Sequence, residues 1–443
     1  MNESIRIVVQ HYDTSNSKIL SQEVLREDKI KKPQNLKEVG YLHLEQIDLL
    51  SKIQDFKISH QIKLLNNDKT CPKCAGKVRN QGRYKSKVHT IFTDHEVDIK
   101  RISCTCNCNL PYTIEGIFGS KTHPDLLKRQ VELGSQQSYE KTAKELNYNS
   151  LAKRSINNHS NVHKAVKKIA DILEKDKLGT VKISHIPAQQ LVINIDGGHV
   201  KSRGDNRSFE AMVASVYRPE NIKVIDRSHK MIVNKTTVAS AKNDEQTTMK
   251  ALFKNACKVQ GMNESTEVVC LADGADNCWS IANSIKNDCG KMLYVLDWFH
   301  IGMKFKNNAT AVADEDKDLY DKAKWHLWHG AADKSINKLE SLYQKAPDDK
   351  CQKKLKKLMG YISNNRAHIV NYEKRMNNNL PYTSNIAEST VNNLINTRQK
   401  NKQRMTWSRD GSHNVLQIRS SIYSQTWDKD WREVEQSIYK NVA

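Results

Sequence analysis

The chain has 443 residues, enough for two or three domains with a sizeable core. Mean hydropathy is −0.71 and no run of about 18 apolar residues occurs, which excludes an ordinary transmembrane helix and argues against a membrane partner. Lys and Arg total 71 against 50 Asp and Glu, a formal charge of +21, and such an excess favours a polyanionic partner, most commonly nucleic acid.

That charge is uneven. Between Lys350 and Arg409 thirteen Lys/Arg stand against two acids, Glu373 and Glu388. The opening Met1-Asn-Glu-Ser-Ile5 lacks a basic stretch leading into an apolar one, so the expected location is cytoplasmic, associated with the nucleoid. Residues 1–65 are polar, with short apolar spacings at Val39, Leu42, Leu44, Ile47, Leu49 and Leu50, and read as a polar arm with short helices.

Five of the ten cysteines crowd between Cys71 and Cys108. In a reducing compartment such a cluster is better explained by metal than by disulfides. Cys71-Pro-Lys-Cys74 has the knuckle spacing that offers two thiolates to one tetrahedral Zn²⁺. About 30 residues on, after two alternating segments at Lys87–Phe92 and Glu96–Ile102, comes Cys104-Thr-Cys-Asn-Cys108. Residues 66–120 therefore resemble a zinc ribbon, a structural Zn²⁺ held by Cys71, Cys74 and Cys104 with Cys106, or with Cys108 in its place. The scattered Cys257, Cys270, Cys278, Cys289 and Cys351 read as small buried hydrophobes.

Residues 121–186 have helical periodicity. Tyr139–Leu146 suits the first helix of a helix-turn-helix, with a turn at Asn147–Ser150. A recognition helix over Lys153–His159 would then turn Lys153, Arg154, Asn157 and Asn158 toward DNA; a plain helical hairpin is the other reading. Lys175 to Ile186 reads as a linker.

From Leu191 the period changes to that of strands. Leu191-Val-Ile-Asn-Ile-Asp-Gly-Gly-His199 is an apolar strand ending on Asp196, and Glu267-Val-Val-Cys-Leu-Ala-Asp273-Gly-Ala275 repeats the pattern. A carboxylate buried without partners costs several kcal/mol, so both positions call for a cation, a hydrogen-bond network or solvent. Antiparallel strands are expected at Ser208–Tyr217 and Ile222–Val233, then helix at Glu245–Val259, strand at Glu267–Ala272, helix at Trp279–Lys286 and strand at Met292–Leu296. In an open α/β sheet, ligands collect at the carboxyl ends of strands, where both aspartates fall. Asp297 and His300, three apart, share one face of the following helical turn.

In this order the chain resembles DDE transposases of bacterial insertion sequences, in the Mutator-like group with a ribonuclease H-like catalytic core. Asp196 in Ile-Asp-Gly-Gly, Asp273 in Ala-Asp-Gly-Ala, Asp297-Trp-Phe-His300, and Glu388 in Ser384-Asn-Ile-Ala-Glu-Ser-Thr390 carry the match, which covers about residues 190–420. Glu388 also suits a capping box, and Glu373, Asp276 and Glu264 compete for its role. The resemblance implies an α/β fold: a mixed-sheet core (187–303), an all-helical insertion (304–380) and a catalytic-core helix with a basic C-terminal region (381–443). It implies Asp196, Asp273 and Glu388 as ligands of two Mg²⁺ or Mn²⁺ ions, with Asp297 and His300 in support near the site. The basic helix past Glu388 places Arg398, Lys400, Lys402 and Arg404 toward DNA. Trp325 and Trp328, in the insertion, read as core aromatics at helical spacing, with aromatics that grip a DNA hairpin as the other reading. The expected activity is cleavage and strand transfer at terminal inverted repeats, by a homodimer or higher assembly on double-stranded transposon and target DNA. A transposase-derived regulator without catalysis, or a nuclease that cuts without joining, are the alternatives.

Overall fold

In a computed structural model, all residues are described except 1–2, 72, 107, 109, 180–182, 205–206, 227–229, 386–391, 401–404 and 441–443, and the side chain of Asn392. The chain divides into two compact units, Met1–Ile169 with Lys429–Ala443, and Ala170–Asp428.

The first unit opens with a hairpin of β1 (Ser4–Asp13) and β2 (Lys18–Lys29), followed by the 24-residue helix α1 (His43–Asn66). This corrects the expected polar arm with short helices. The hairpin escapes pattern reading because register shifts at Ile7/Val8 and His11/Tyr12 break its alternation, and Ile5, Tyr12, Leu20 and Val24 stay about half exposed. Next come β3 (Val78–His89) and β4 (Asp94–Cys104), an antiparallel ribbon longer than the alternating segments suggested. Val97 and Ile99 on one face of β4 pack with Val88 and with Ile58, Ile62 and Leu65 of α1. Helices α2 (Ile114–Phe118), α3 (Pro124–Gln136), α4 (Tyr139–Tyr148) and α5 (His159–Gly179) follow, so the expected linker at Lys175 begins as helix.

The second unit is built on a five-stranded mixed sheet, order β11-β10-β5-β6-β9. Its strands are β5 (Gln190–Lys201), β6 (Ser208–Tyr217), β9 (Thr236–Ser240), β10 (Glu267–Ala272) and β11 (Lys291–Leu296). β5, β6 and β9 run as an antiparallel meander; β10 pairs parallel with both β5 and β11. The third meander strand is not Ile222–Val233. That segment forms a separate small hairpin, β7 (Ile222–Val224) with β8 (Lys230–Ile232), and the buried Thr-Thr-Val-Ala-Ser run takes the sheet edge. α6 (Thr247–Val259) and α7 (Asp276–Asn283) form close to where periodicity places them.

Strand alternation sorts the core into two faces. Leu191, Ile193 and Ile195 with Val268, Cys270 and Ala272 pack against α6 and α7, where Cys257 and Cys278 are also buried. Val192, Val269, Leu271 and Val295 face a helical layer of α8 (Trp298–Asn308), α9 (Lys317–Trp328), α10 (Ala332–Gln344), α11 (Asp349–Asn364) and α12 (Tyr372–Asn377). Asn194 interrupts the apolar run because it too points this way and donates to the Tyr217 hydroxyl at 3.3 Å. The insertion is thus helical, with Trp328 in its core; Trp325 departs from the expected core role and is 59% exposed. α13 (Arg409–Tyr423) lies along β9, where the Gln417 amide donates to Ala239 O at 2.8 Å.

Candidate functional site

Register brings the acids together. Ile195 pairs with Ala272, and Ala272 with Leu296, on three neighbouring parallel strands. One residue further along each strand stands Asp196, Asp273 or Asp297. Neighbouring strands lie about 4.8 Å apart, so the three form one row at the carboxyl ends of β5, β10 and β11. Alternation turns Asp196 and Asp273 to the same face, that of the helical layer. One expectation needs correcting: β5 does not stop at Asp196 but continues to Lys201, paired with β6. Only its parallel pairing with β10 ends there.

Both Asp-Gly pairs have a packing reason. A Cβ at Gly197 would meet Glu210 Oε1, and one at Gly274, where φ is +91°, would meet the Asn365 amide at 2.7 Å. These glycines let a carboxylate and an amide close in on the strand ends. Glu210 is held in turn by Asn277, whose amide donates to it at 2.7 Å.

Asp297 is fully buried and accepts from four donors: Ser384 N at 2.8 Å and Phe299 N at 3.1 Å on one oxygen, Ser384 Oγ at 2.5 Å and His300 Nδ1 at 2.7 Å on the other. Charge-assisted bonds of this kind, each worth about 1.5–3 kcal/mol, make a buried carboxylate tolerable. The same bonds hold His300 so that its Nε2 lies 4.0 Å from Asp196 Oδ2. Burial pushes the Asp196 carboxyl above its usual range, helped by the neighbouring Asp273 and Asp297 carboxylates and opposed by His300. Burial alone would lower His300, but Asp297, Asp196 and Asp273 outweigh it and raise its pKa. Lys400 is lowered by burial against the attraction of Asp196, so this predicted DNA contact stands in the field of the acid row. Tyr361 OH donates to Asp273 O at 2.9 Å.

Sequence reasoning did not assign Ser384, Tyr361, Asn365 or Glu210. Ser384 sits inside the motif around Glu388 and could have been found there. Tyr361 is 88 residues from Asp273 and carries no local signal. Glu388, Lys402 and Arg404 lie outside the described residues.

Several predicted DNA contacts are instead part of the fold. No recognition helix forms over Lys153–His159: residues 151–154 are irregular, Ser155–Asn157 is one short turn, and α5 begins at His159. Arg154 is buried, donating to Thr90 O at 2.9 Å, Ile91 O at 3.2 Å and Asp94 Oδ1 at 3.0 Å. Asn157 is fully buried beside Gln130 and Asn147, while Asn158 accepts from Asn161 N at 2.8 Å as a cap for α5. Of the four, Lys153 alone is exposed with its side chain uncommitted. Arg398 is also fully buried, its guanidinium 4.6 Å from the Trp407 ring centre. Substituting Arg154→Met is therefore expected to cost about 2–4 kcal/mol of stability, since it strands Asp94 and two carbonyls. Chemical denaturation measures this, and DNA affinity per folded molecule is expected to stay unchanged.

The cysteine cluster is a second site. The sulfurs of Cys71, Cys104, Cys106 and Cys108 all lie within 4.8 Å of one another, a set that can hold a structural metal such as zinc. Cys71 is 3.4 Å from Cys108 and 3.9 Å from Cys106. Four thiolates at 2.3 Å from one ion stand about 3.8 Å apart. The grouping includes Cys108, which the sequence offered as the alternative. Cys74, which the sequence also named, is not in that group of four, though its sulfur is 3.3 Å from that of Cys104.

Comparison with curated proteins returns no match. Residues 120–438, which include the acid row and the whole helical layer, match the model of the Uncharacterised protein family (UPF0236), and the chain belongs to that family.

Proposed function

We propose that the chain is a DNA transposase of the DDE type, with a ribonuclease H-like core, that cleaves and rejoins phosphodiesters at transposon ends. One observation carries the reading: an antiparallel meander followed by two parallel strands, in the order β9-β6-β5-β10-β11, with Asp196 and Asp273 at adjacent strand ends on one face. That order and those acids are what the resemblance calls for. Glu388 follows Ser384 by four residues, and an extended chain of that length spans at most about 14 Å. Ser384, in the same motif, is bound to Asp297, and Glu388 is the third acid that the resemblance calls for.

The donor set suits hard divalent ions. Asp196 and Asp273 offer oxygen ligands side by side, and the pKa of Asp196, raised first by burial and then by the neighbouring carboxylates, marks a charge that a cation would stabilise. When bound, paired Mg²⁺ or Mn²⁺ ions activate the attacking oxygen and stabilise the leaving one. The chain's own residues orient the parts. Asp297 fixes His300 beside Asp196, Tyr361 pins the Asp273 backbone, and Lys400 lies within electrostatic reach of Asp196. Hydrolysis frees a 3′-OH at the element end; that hydroxyl then attacks a target phosphorus, forming a new P–O bond as the target's own P–O3′ bond breaks and leaves a free 3′-OH. Bringing two ends together calls for a dimer or a larger assembly.

The test is incubation with labelled inverted-repeat ends, supercoiled plasmid and Mg²⁺ or Mn²⁺. Joined product supports the proposal; cutting without joining points to a nuclease, and binding with neither to a regulator. Asp297 acts through other residues, so Asp297→Asn, which sets an amide donor against Ser384 and His300, is expected to slow cleavage about 10–100-fold. Duplex affinity, followed by fluorescence anisotropy, is expected to stay at the wild-type value.

A further inference from the structure

With Arg154, Asn157 and Arg398 committed to the fold, the basic surface of the first unit lies elsewhere, on the β3–β4 ribbon and the cysteine knuckle before it. Lys73, Lys77, Arg79, Arg83, Lys85 and Lys87 are all exposed. Alternation places Arg83, Lys85 and Lys87 on the ribbon face opposite Val88, which packs toward α1. Their cross-strand neighbours are Lys100, Asp98 and Glu96. Lys87 pairs with Glu96 at 3.4 Å; among the described residues, Arg83, Lys85 and Lys100 have no acid within ion-pair distance, while Arg79, opposite Ser103 beyond the register break, falls on the other face.

Three unpaired cations on one face, Arg83 and Lys85 on β3 with Lys100 on β4, repel one another, a cost that a polyanion would remove. Alternate side chains on a strand are about 6.8 Å apart, comparable to successive phosphates of one DNA strand. A two-stranded ribbon is also narrow enough to enter the major groove of duplex DNA, about 12 Å wide. Between Asn80 and Arg83 the register breaks, with Gln81 and Gly82 set against Arg101, and Gly82 has φ +104°. Such a bulge bends a ribbon and increases its twist.

We propose that this face, through Arg83, Lys85 and Lys100, binds the phosphate backbone of duplex DNA. The proposal rests on the DNA reading above and gives it a surface that the recognition helix was expected to supply.

The test is fluorescence anisotropy of the full chain with a 30-base-pair duplex across a salt series. The variants are Arg83→Ala/Lys85→Ala/Lys100→Ala and, with opposite sign, Glu96→Gln/Asp98→Asn. The triple variant is expected to bind at least tenfold more weakly, with a salt slope shallower by about 2–3 because each lost phosphate contact removes about 0.9. The acid-to-amide variant is expected to bind more tightly. Unchanged affinity and slope in the triple variant, with wild-type protein binding, would overturn the surface and leave the transposase reading standing. No duplex binding by the wild-type chain would overturn both, and tighter binding of duplex RNA of equal length would overturn the assignment to DNA. Matching thermal melts of the variants keep a folding defect from passing as lost binding.

Discussion

Asp196→Asn and Asp273→Asn are each expected to lower cleavage and joining by at least about 10³-fold, roughly 4 kcal/mol of transition-state stabilisation, while end binding persists. The amide keeps the shape of the side chain and removes the charge that a divalent ion needs. A second, activity-free readout accompanies this. The folded pKa of Asp196 is raised above its unfolded value. The folded state therefore holds that proton more tightly, and stability present below the unfolded value is lost as pH rises through the folded one. At neutral pH the metal-free Asp196→Asn protein is thus expected to melt above metal-free wild type, with the gap closing in acid. Mn²⁺ is expected to raise the melting temperature of the wild type and not of the variant. Wild-type cleavage by either variant would remove that acid from the site.

Loss of the metal that the cysteine group can hold is expected to be the second large effect. The purified chain is expected to carry one zinc, and chelation is expected to unfold the end of the β3–β4 ribbon, because Cys71, Cys104 and Leu110 form only a small apolar cluster there. Metal coordination of this kind is itself folding free energy, about 10–16 kcal/mol in isolated zinc-finger peptides. Cys71→Ser, Cys104→Ser and Cys108→Ser are each expected to abolish zinc retention, measured by elemental analysis. Cys74→Ser is expected to keep the metal, since Cys74 stands outside the group of four. Zinc lost from Cys74→Ser but kept by Cys108→Ser would restore the choice made from spacing alone.

Apolar runs that end on Asp-Gly told strand from helix at β5 and β10, and alternation named β6 and β11 to within a residue or so. The same reasoning failed where burial does not follow period. The β1–β2 hairpin exposes apolar residues along its length, and Ile222–Val233 alternates as a strand yet pairs only with itself. The helix-turn-helix reading failed for a related reason. Lys, Arg and Asn in a polar segment look solvent-facing, but carbonyls at Thr90 and Ile91, more than sixty residues away in sequence, draw Arg154 inward.

Composition and spacing by themselves determined the basic character, the cysteine cluster, the strand-end aspartates and the helical layer, because charge, thiol spacing and periodicity are local properties of the chain. Only the tertiary structure decided that Asp196, Asp273 and Asp297 stand in one row, that Ser384 closes on Asp297 from 87 positions away, and which cations are spent inside the fold. Those outcomes depend on strand register and on partners distant in sequence, which no window along the chain contains.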